Sequence, residues 1–126
     1  MNVDAVHHVA IKAWDVEVLS AFYQEVLGLV FEREFKDDFG LRSVWLRFGV
    51  GRLMIERSEE GGVTNRSFGS DPIGYHLVAF SIDPAERAAW RQRLKSAGSP
   101  VIEETEHTLY FQDPESNRCG LSTWPV

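Results

Sequence analysis

The sequence repeats itself at a spacing of 68 residues, and that repeat limits the fold more than any other feature. Slid by this spacing, His8 falls on His76, Val9 on Leu77 and Asp15 on Asp83. Further along, Ala21 falls on Ala89, Phe22 on Trp90, Gln24 on Gln92 and Val26 on Leu94. The matches run through a strand-like stretch, a helix start and a helix face. The chain therefore reads as two copies of one supersecondary unit. Its 126 residues suit a single domain over 1–126, with module one at about 1–60, a linker at about 58–72 and module two at about 73–126.

Both copies follow the same local code. "VHHVAIKA" and "YHLVAFSI" are rich in β-formers. Asp15 and Asp83 suit helix N-caps, and Pro84 suits a first helical position. Apolar residues then recur at helical spacing: Val18, Leu19, Phe22, Tyr23, Val26 and Leu27 in the first copy, Ala89, Trp90, Leu94 and Ala97 in the second. Gly28 and Gly98 fall just past the helix ends. Strands are expected near Val30–Phe35, Arg42–Phe48 and Arg52–Arg57, and again near Val101–Thr105, Thr108–Gln112 and Cys119–Trp124. "SEEGGVTNRSFGSDP" between the copies has linker composition. The expected architecture is α+β, in the order βαβββ, linker, βαβββ.

Composition removes several function classes. The net charge of −6 argues against nucleic acid as a partner and permits a cationic ligand. No apolar run is long enough to span a bilayer, and no basic-then-apolar leader is visible. With Cys119 as the one cysteine, no intrachain disulfide can form, which fits a cytoplasmic location.

Strand alternation separates a helix-facing side from an open side. Val44, Leu46 and Phe48 suit the helix side, leaving Ser43, Trp45 and Arg47 on the other. Leu53 and Ile55 leave Arg52, Met54 and Glu56; Leu109 and Phe111 leave Thr108, Tyr110 and Gln112; Cys119 and Leu121 leave Gly120, Ser122 and Trp124. Val9 and Ile11 send His8 to the open side and His7 to the other, where it has a structural role. His76 is expected on the open side together with Val78 and Phe80. His8, Glu56 and His76 then share the open face. Two imidazoles and a carboxylate suit a divalent iron, manganese, zinc or nickel ion with positions left open for substrate. The plainer reading stands beside this one: a strand histidine is usually a hydrogen-bonded polar residue, and Glu56 sits in a charged stretch with Arg57, Glu59 and Glu60.

The stretches "HHVAIKAWDVEVLSAFYQEVLGL", "LMIE", "GYHLVAFSID" and "YFQDPESNRCGL" resemble the vicinal oxygen chelate superfamily, which includes glyoxalase I, extradiol dioxygenases, methylmalonyl-CoA epimerase, and fosfomycin and bleomycin resistance proteins. The resemblance covers nearly the whole chain. It implies paired βαβββ modules forming an open, incomplete barrel around a cavity for a small molecule. It also implies a homodimer in which each cavity takes modules from both chains. The family's ligand positions correspond to His8, Glu56, His76 and Gly120. The first three hold ligand residue types, but the familiar ending "DP-x-G-N-x-x-E-L" reads "DPESNRCGL" here, with glycine at the carboxylate position.

Three readings follow, of which the sequence favours the first, with the second as its main alternative. In one, a divalent metal on His8, Glu56 and His76 serves a glyoxalase- or dioxygenase-type oxidoreductase or lyase, with Glu56 as the base. In the second, the metal is gone and a cavity lined by Trp45, Tyr110 and Trp124 sequesters a planar or cationic ligand, as bleomycin resistance proteins do, while Arg47, with Arg42 and Arg52, is a candidate to bind a substrate carboxylate. In the third, the missing group comes from Glu103, Glu104, Glu106 or His107. Of these His107 is the candidate ligand or general base, set against a simple surface role for the cluster.

Overall fold

The repeat is realised element for element in the structure, a computed structural model that describes residues 1–60, 69 and 71–124. It forms two compact units, Met1–Val63 and Thr64–Val126. The first contains β1 (His8–Ala13), α1 (Val16–Ala21) running on into a wider π-helical turn (Phe22–Val26), β2 (Val30–Asp37), β3 (Gly40–Phe48) and β4 (Gly51–Arg57). The second contains β5 (Val78–Ser81), a 3-10 turn (Pro84–Glu86), α2 (Arg87–Ser96), β6 (Glu103–Glu104), β7 (Thr108–Gln112) and β8 (Arg118–Ser122). Each unit has one four-stranded sheet, ordered β1-β4-β3-β2 and β5-β8-β7-β6. The first and last strands of each copy are parallel neighbours. Most of the expected linker lies outside the described residues.

Asp15 caps α1 by accepting a hydrogen bond from Val18 N at 3.1 Å, and Asp83 accepts one from Ala85 N at 2.9 Å. Gly28 and Gly98 follow the helices with φ of +77° and +80°, where a side chain would be strained. The expected helix over Val16–Leu27 widens after Ala21, with Leu27 N bonding to Phe22 O and Leu29 N to Tyr23 O. This wider turn buries the adjacent Phe22 and Tyr23 together, edge to face at 5.5 Å. They pack with Val16, Leu19 and Leu29 in a core that also holds Val44, Leu46, Leu53 and Ile55.

In the second unit the core is Leu94, Leu109, Phe111, Cys119 and Leu121. Leu94 is the buried residue of α2. Ala89 and Ala97, expected on the same apolar face, are exposed, and Trp90 is half-buried with the Arg93 guanidinium 5.5 Å from its ring. The strand expected over Val101–Thr105 keeps a regular ladder only at Glu103–Glu104. Its flanks still pair through Ile102 N to Tyr110 O and Thr105 N to Thr108 O. Glu104 faces α2 and is held by Arg91 at 2.8 Å and Arg87 at 3.1 Å. These hydrogen bonds hold its carboxyl below the ordinary 4.5.

Candidate functional site

In the first unit, alternation turns Ser43, Trp45 and Arg47 away from the core, together with Arg52, Met54 and Glu56 of β4 and His8, Ala10 and Lys12 of β1. His8 is in register with Arg52, and Lys12 with Glu56. His8 and Glu56 thus share a face but stand four residues apart in register, about 13 Å along the strands. Glu56 Oε2 lies 3.2 Å from Lys12 Nζ, in a pair whose side chains are 38% and 64% exposed. Such a pair is worth about 1 kcal/mol or less. His8 Nδ1 lies 2.9 Å from His7 Nδ1, with the rings edge to face. The expectation that His7 points away from His8 is therefore corrected: His7 precedes β1 and is not bound by its alternation.

A bulge between Phe31 and Arg33 shapes the far side of this face. The extra residue, Glu32, accepts from Arg52 Nε at 2.8 and 3.1 Å. That hydrogen bond holds Glu32 below the usual carboxylate range, helped by the nearby charges of Arg52, Arg47 and Arg33. Trp45 packs on Phe35 at 5.2 Å, and the Arg33 guanidinium sits 5.7 Å from the Trp45 ring and 5.5 Å from that of Phe35. A cation of the chain itself therefore already sits at one face of the Trp45 ring. Arg47 is exposed, in register with Arg52.

In the second unit the open face holds Thr108, Tyr110 and Gln112 of β7 and Arg118, Gly120 and Ser122 of β8. Val78 and Phe80 pair with Cys119 and Leu121, so they lie on the helix side, contrary to the expectation, and Ala79 pairs with Gly120 on the open side. His76 does not share the face of Val78 and Phe80. It lies two residues ahead of β5, outside strand alternation, and its ring reaches Arg118 on the Gly120 side. Arg118 NH1 stands 3.2 Å from His76 Nδ1. Arginine can only donate, so Nδ1 is the acceptor and the neutral ring carries its proton on Nε2.

Gly120 is closely surrounded. A Cβ there would lie 3.1 Å from Thr108 Cγ2 and 3.4 Å from Ala79 Cβ. Thr108 Oγ1 donates to Ser122 Oγ at 3.1 Å. Tyr110 is half-buried, in register with Gly120. His107 precedes β7, with its carbonyl accepting from Thr123 N at 2.8 Å and Thr123 Oγ1 at 3.2 Å. Its ring meets Trp124 edge to face at 4.6 Å, its Nδ1 is buried with no hydrogen-bond partner among the described residues, and its Nε2 is 3.8 Å from Glu106 Oε2. Trp124 is largely exposed. Glu103 is exposed opposite Tyr110, while Glu104 faces the other way.

Residues 5–119 match the family model of the Glyoxalase/Bleomycin resistance protein/Dioxygenase superfamily. The chain belongs to this superfamily. Solved structures carry the same fold. A lactoylglutathione lyase from Agrobacterium tumefaciens is 23% identical with a TM-score of 0.69, covering 100% of both chains. A glyoxalase/dioxygenase from Nostoc punctiforme is 19% identical with a TM-score of 0.80, covering 99% of this chain and 94% of that one. A mutant of the fosfomycin resistance protein FosX from Listeria monocytogenes, complexed with Mn(II) and 1S,2S-dihydroxypropylphosphonic acid, is 18% identical with a TM-score of 0.79, covering 99% and 96%.

The Mn(II) complexed by that FosX mutant can be set against the side chains present here. Among the described residues, neither unit gathers three or more His, Cys, Asp or Glu side chains as a metal site. In the second unit, an imidazole with its proton on Nε2 has no lone pair there for a metal, and Gly120 offers no ligand. The arrangement seen in this unit does not fit a metal ion. Arg118 was not among the residues singled out from the sequence. Its signal was present, because a residue two before Gly120 in a strand must share its face.

Proposed function

We propose that this superfamily member binds a small oxygenated organic molecule on its open sheet faces, through hydrogen-bond donors and aromatic surface, without a resident metal. The observation that carries this reading is the Arg118–His76 hydrogen bond, which makes the histidine a donor. The crowding at Gly120 and the Lys12–Glu56 pair support it. Tyr110 lies on the same face as Gly120, and Trp45 and Arg47 supply the equivalent surface in the first unit. The protein then acts by holding its ligand, as a sequestering protein does, and pairs with a second copy as a homodimer.

A second reading keeps a divalent metal on His8, Glu56 and His76, with Glu56 and His107 as acid–base groups of a glyoxalase- or dioxygenase-type enzyme. The retained ligand types and the weakness of the exposed Lys12–Glu56 pair favour it. Elemental analysis decides between the two, on protein offered iron, manganese, zinc and nickel separately, beside His8→Ala and His76→Ala. The binding reading predicts metal at the level of both variants. About one metal per chain in the wild type, lost in both variants, would establish the enzyme reading instead.

A further inference from the structure

One row of the first unit's open face sets like charges side by side. Arg47 of β3 is in register with Arg52 of β4, and Arg52 with His8 of β1. In-register neighbours on adjacent strands stand about 5 Å apart, and two guanidiniums at that spacing destabilise the sheet unless an anion offsets them. The chain supplies only part of that offset. Glu32, the bulge residue of β2, binds Arg52 through Nε, at 2.8 and 3.1 Å. The Nη groups of Arg52 make no hydrogen bond among the described residues. Arg47 is exposed and makes no hydrogen bond or ion pair among the described residues. Its charge does reach Glu32: the hydrogen bond from Arg52 holds that carboxyl below the ordinary 4.5, and the charges of Arg47 and Arg33 add to the effect. Arg33, beside this row, meets the rings of Trp45 and Phe35 instead of a carboxylate. The other acidic side chains of this sheet are engaged elsewhere. Glu56 is bound by Lys12, Glu34 is in register with core Val44 and lies beside Lys36, and Asp37 is held by Arg57.

Two neighbouring guanidiniums with unmet donors match an oxyanion, which accepts several hydrogen bonds at once. We infer that Arg47 and Arg52 together bind the oxyanion of a small organic ligand, a carboxylate or a phosphate group, on the open face of the first unit. An anion there also relieves the repulsion between the two side chains. Val30, half exposed and in register with Arg47, gives the ligand's carbon skeleton an apolar neighbour. The inference rests on the proposal that this open face binds a small organic molecule. It does not depend on the absence of a metal, because neither arginine is a candidate metal ligand.

The test uses the full chain with benzoate, phenyl phosphate and benzamide, the last an uncharged probe of nearly the shape of benzoate. Binding is followed by calorimetry and by the backbone amide signals of Arg47 and Arg52 in 15N–1H NMR. At least one anion is expected to shift both signals saturably and to bind about tenfold more tightly than benzamide, and the tighter anion names the group. Arg47→Met keeps the apolar stem and should weaken that anion about tenfold. Arg52→Met should weaken it too. Because that variant strips Glu32 of its partner, it counts only if its melting curve stays cooperative, and the exposed Arg47 carries the test without it. Lys36→Met removes the same charge elsewhere on β2, beside Glu34, and should leave the affinity unchanged. Equal weakening by Lys36→Met and Arg47→Met overturns the assignment, since net charge alone then accounts for binding. Benzamide binding at these signals as tightly as both anions overturns it as well and leaves the proposed binding face standing. No response of Arg47 and Arg52 to any probe also overturns it. Stoichiometric metal in the wild type, lost in His8→Ala and His76→Ala, overturns the metal-free reading alone, while weaker anion binding in Arg47→Met still supports the oxyanion site.

Discussion

Ser116 holds a backbone shape that side chains avoid, with φ of +67° in the turn between β7 and β8. The turn survives because Asp113, buried beneath it, accepts hydrogen bonds from Glu115 N and Asn117 N at 2.9 and 3.0 Å. Ser116→Gly should therefore stabilise the protein by about 0.5–1 kcal/mol, seen as a higher urea midpoint at unchanged slope. Asp113→Ala should cost about 2–3 kcal/mol in the same measurement, since it leaves backbone donors unmet. Both residues sit in "DPESN", within a stretch that carries the family resemblance. The Arg118–His76 bond was not legible in the same way. Alternation could place Arg118 on the open face, but His76 precedes its strand, and no periodicity says which way its ring turns.

Elements were easier to read than their register. Both N-cap aspartates and both helix-ending glycines stand where the sequence suggests, because caps and left-handed positions depend on residues close in the chain. The parallel register of β1 on β4 depends on packing across the sheet, and it places Glu56 beside Lys12 instead of beside His8. In the second unit α2 is anchored by few groups. Leu94→Ala should cost about 3–4 kcal/mol in urea unfolding, because its side chain is fully buried. The bridges from Arg91 and Arg87 to Glu104 tie α2 to β6. Since they lower the folded-state pKa of Glu104, their contribution is present above the ordinary value of 4.5 and is lost as pH falls through the lowered one. Glu104→Gln should melt below wild type near neutrality, and the gap should close as pH falls below the ordinary carboxylate range. A gap that is constant with pH would contradict this linkage.

At the scale of the whole molecule, the repeat foretold two βαβββ units, and each copy was legible because both carry the same cap, helix and strand code. Superfamily membership follows from the match over residues 5–119. Chemistry varies within one fold, so what this protein does turns on the few side chains that depart from the pattern. Gly120 is such a departure, and the Arg118–His76 hydrogen bond lies on the same side of the sheet. The tautomer of His76 tests the metal-free reading most directly, read from long-range 15N–1H correlations of the uniformly labelled, metal-free protein and assigned by loss of the signals in His76→Gln. The account predicts a neutral ring with its proton on Nε2 and an accepting Nδ1. A ring with its proton on Nδ1, leaving the Nε2 lone pair open to a metal, would contradict it.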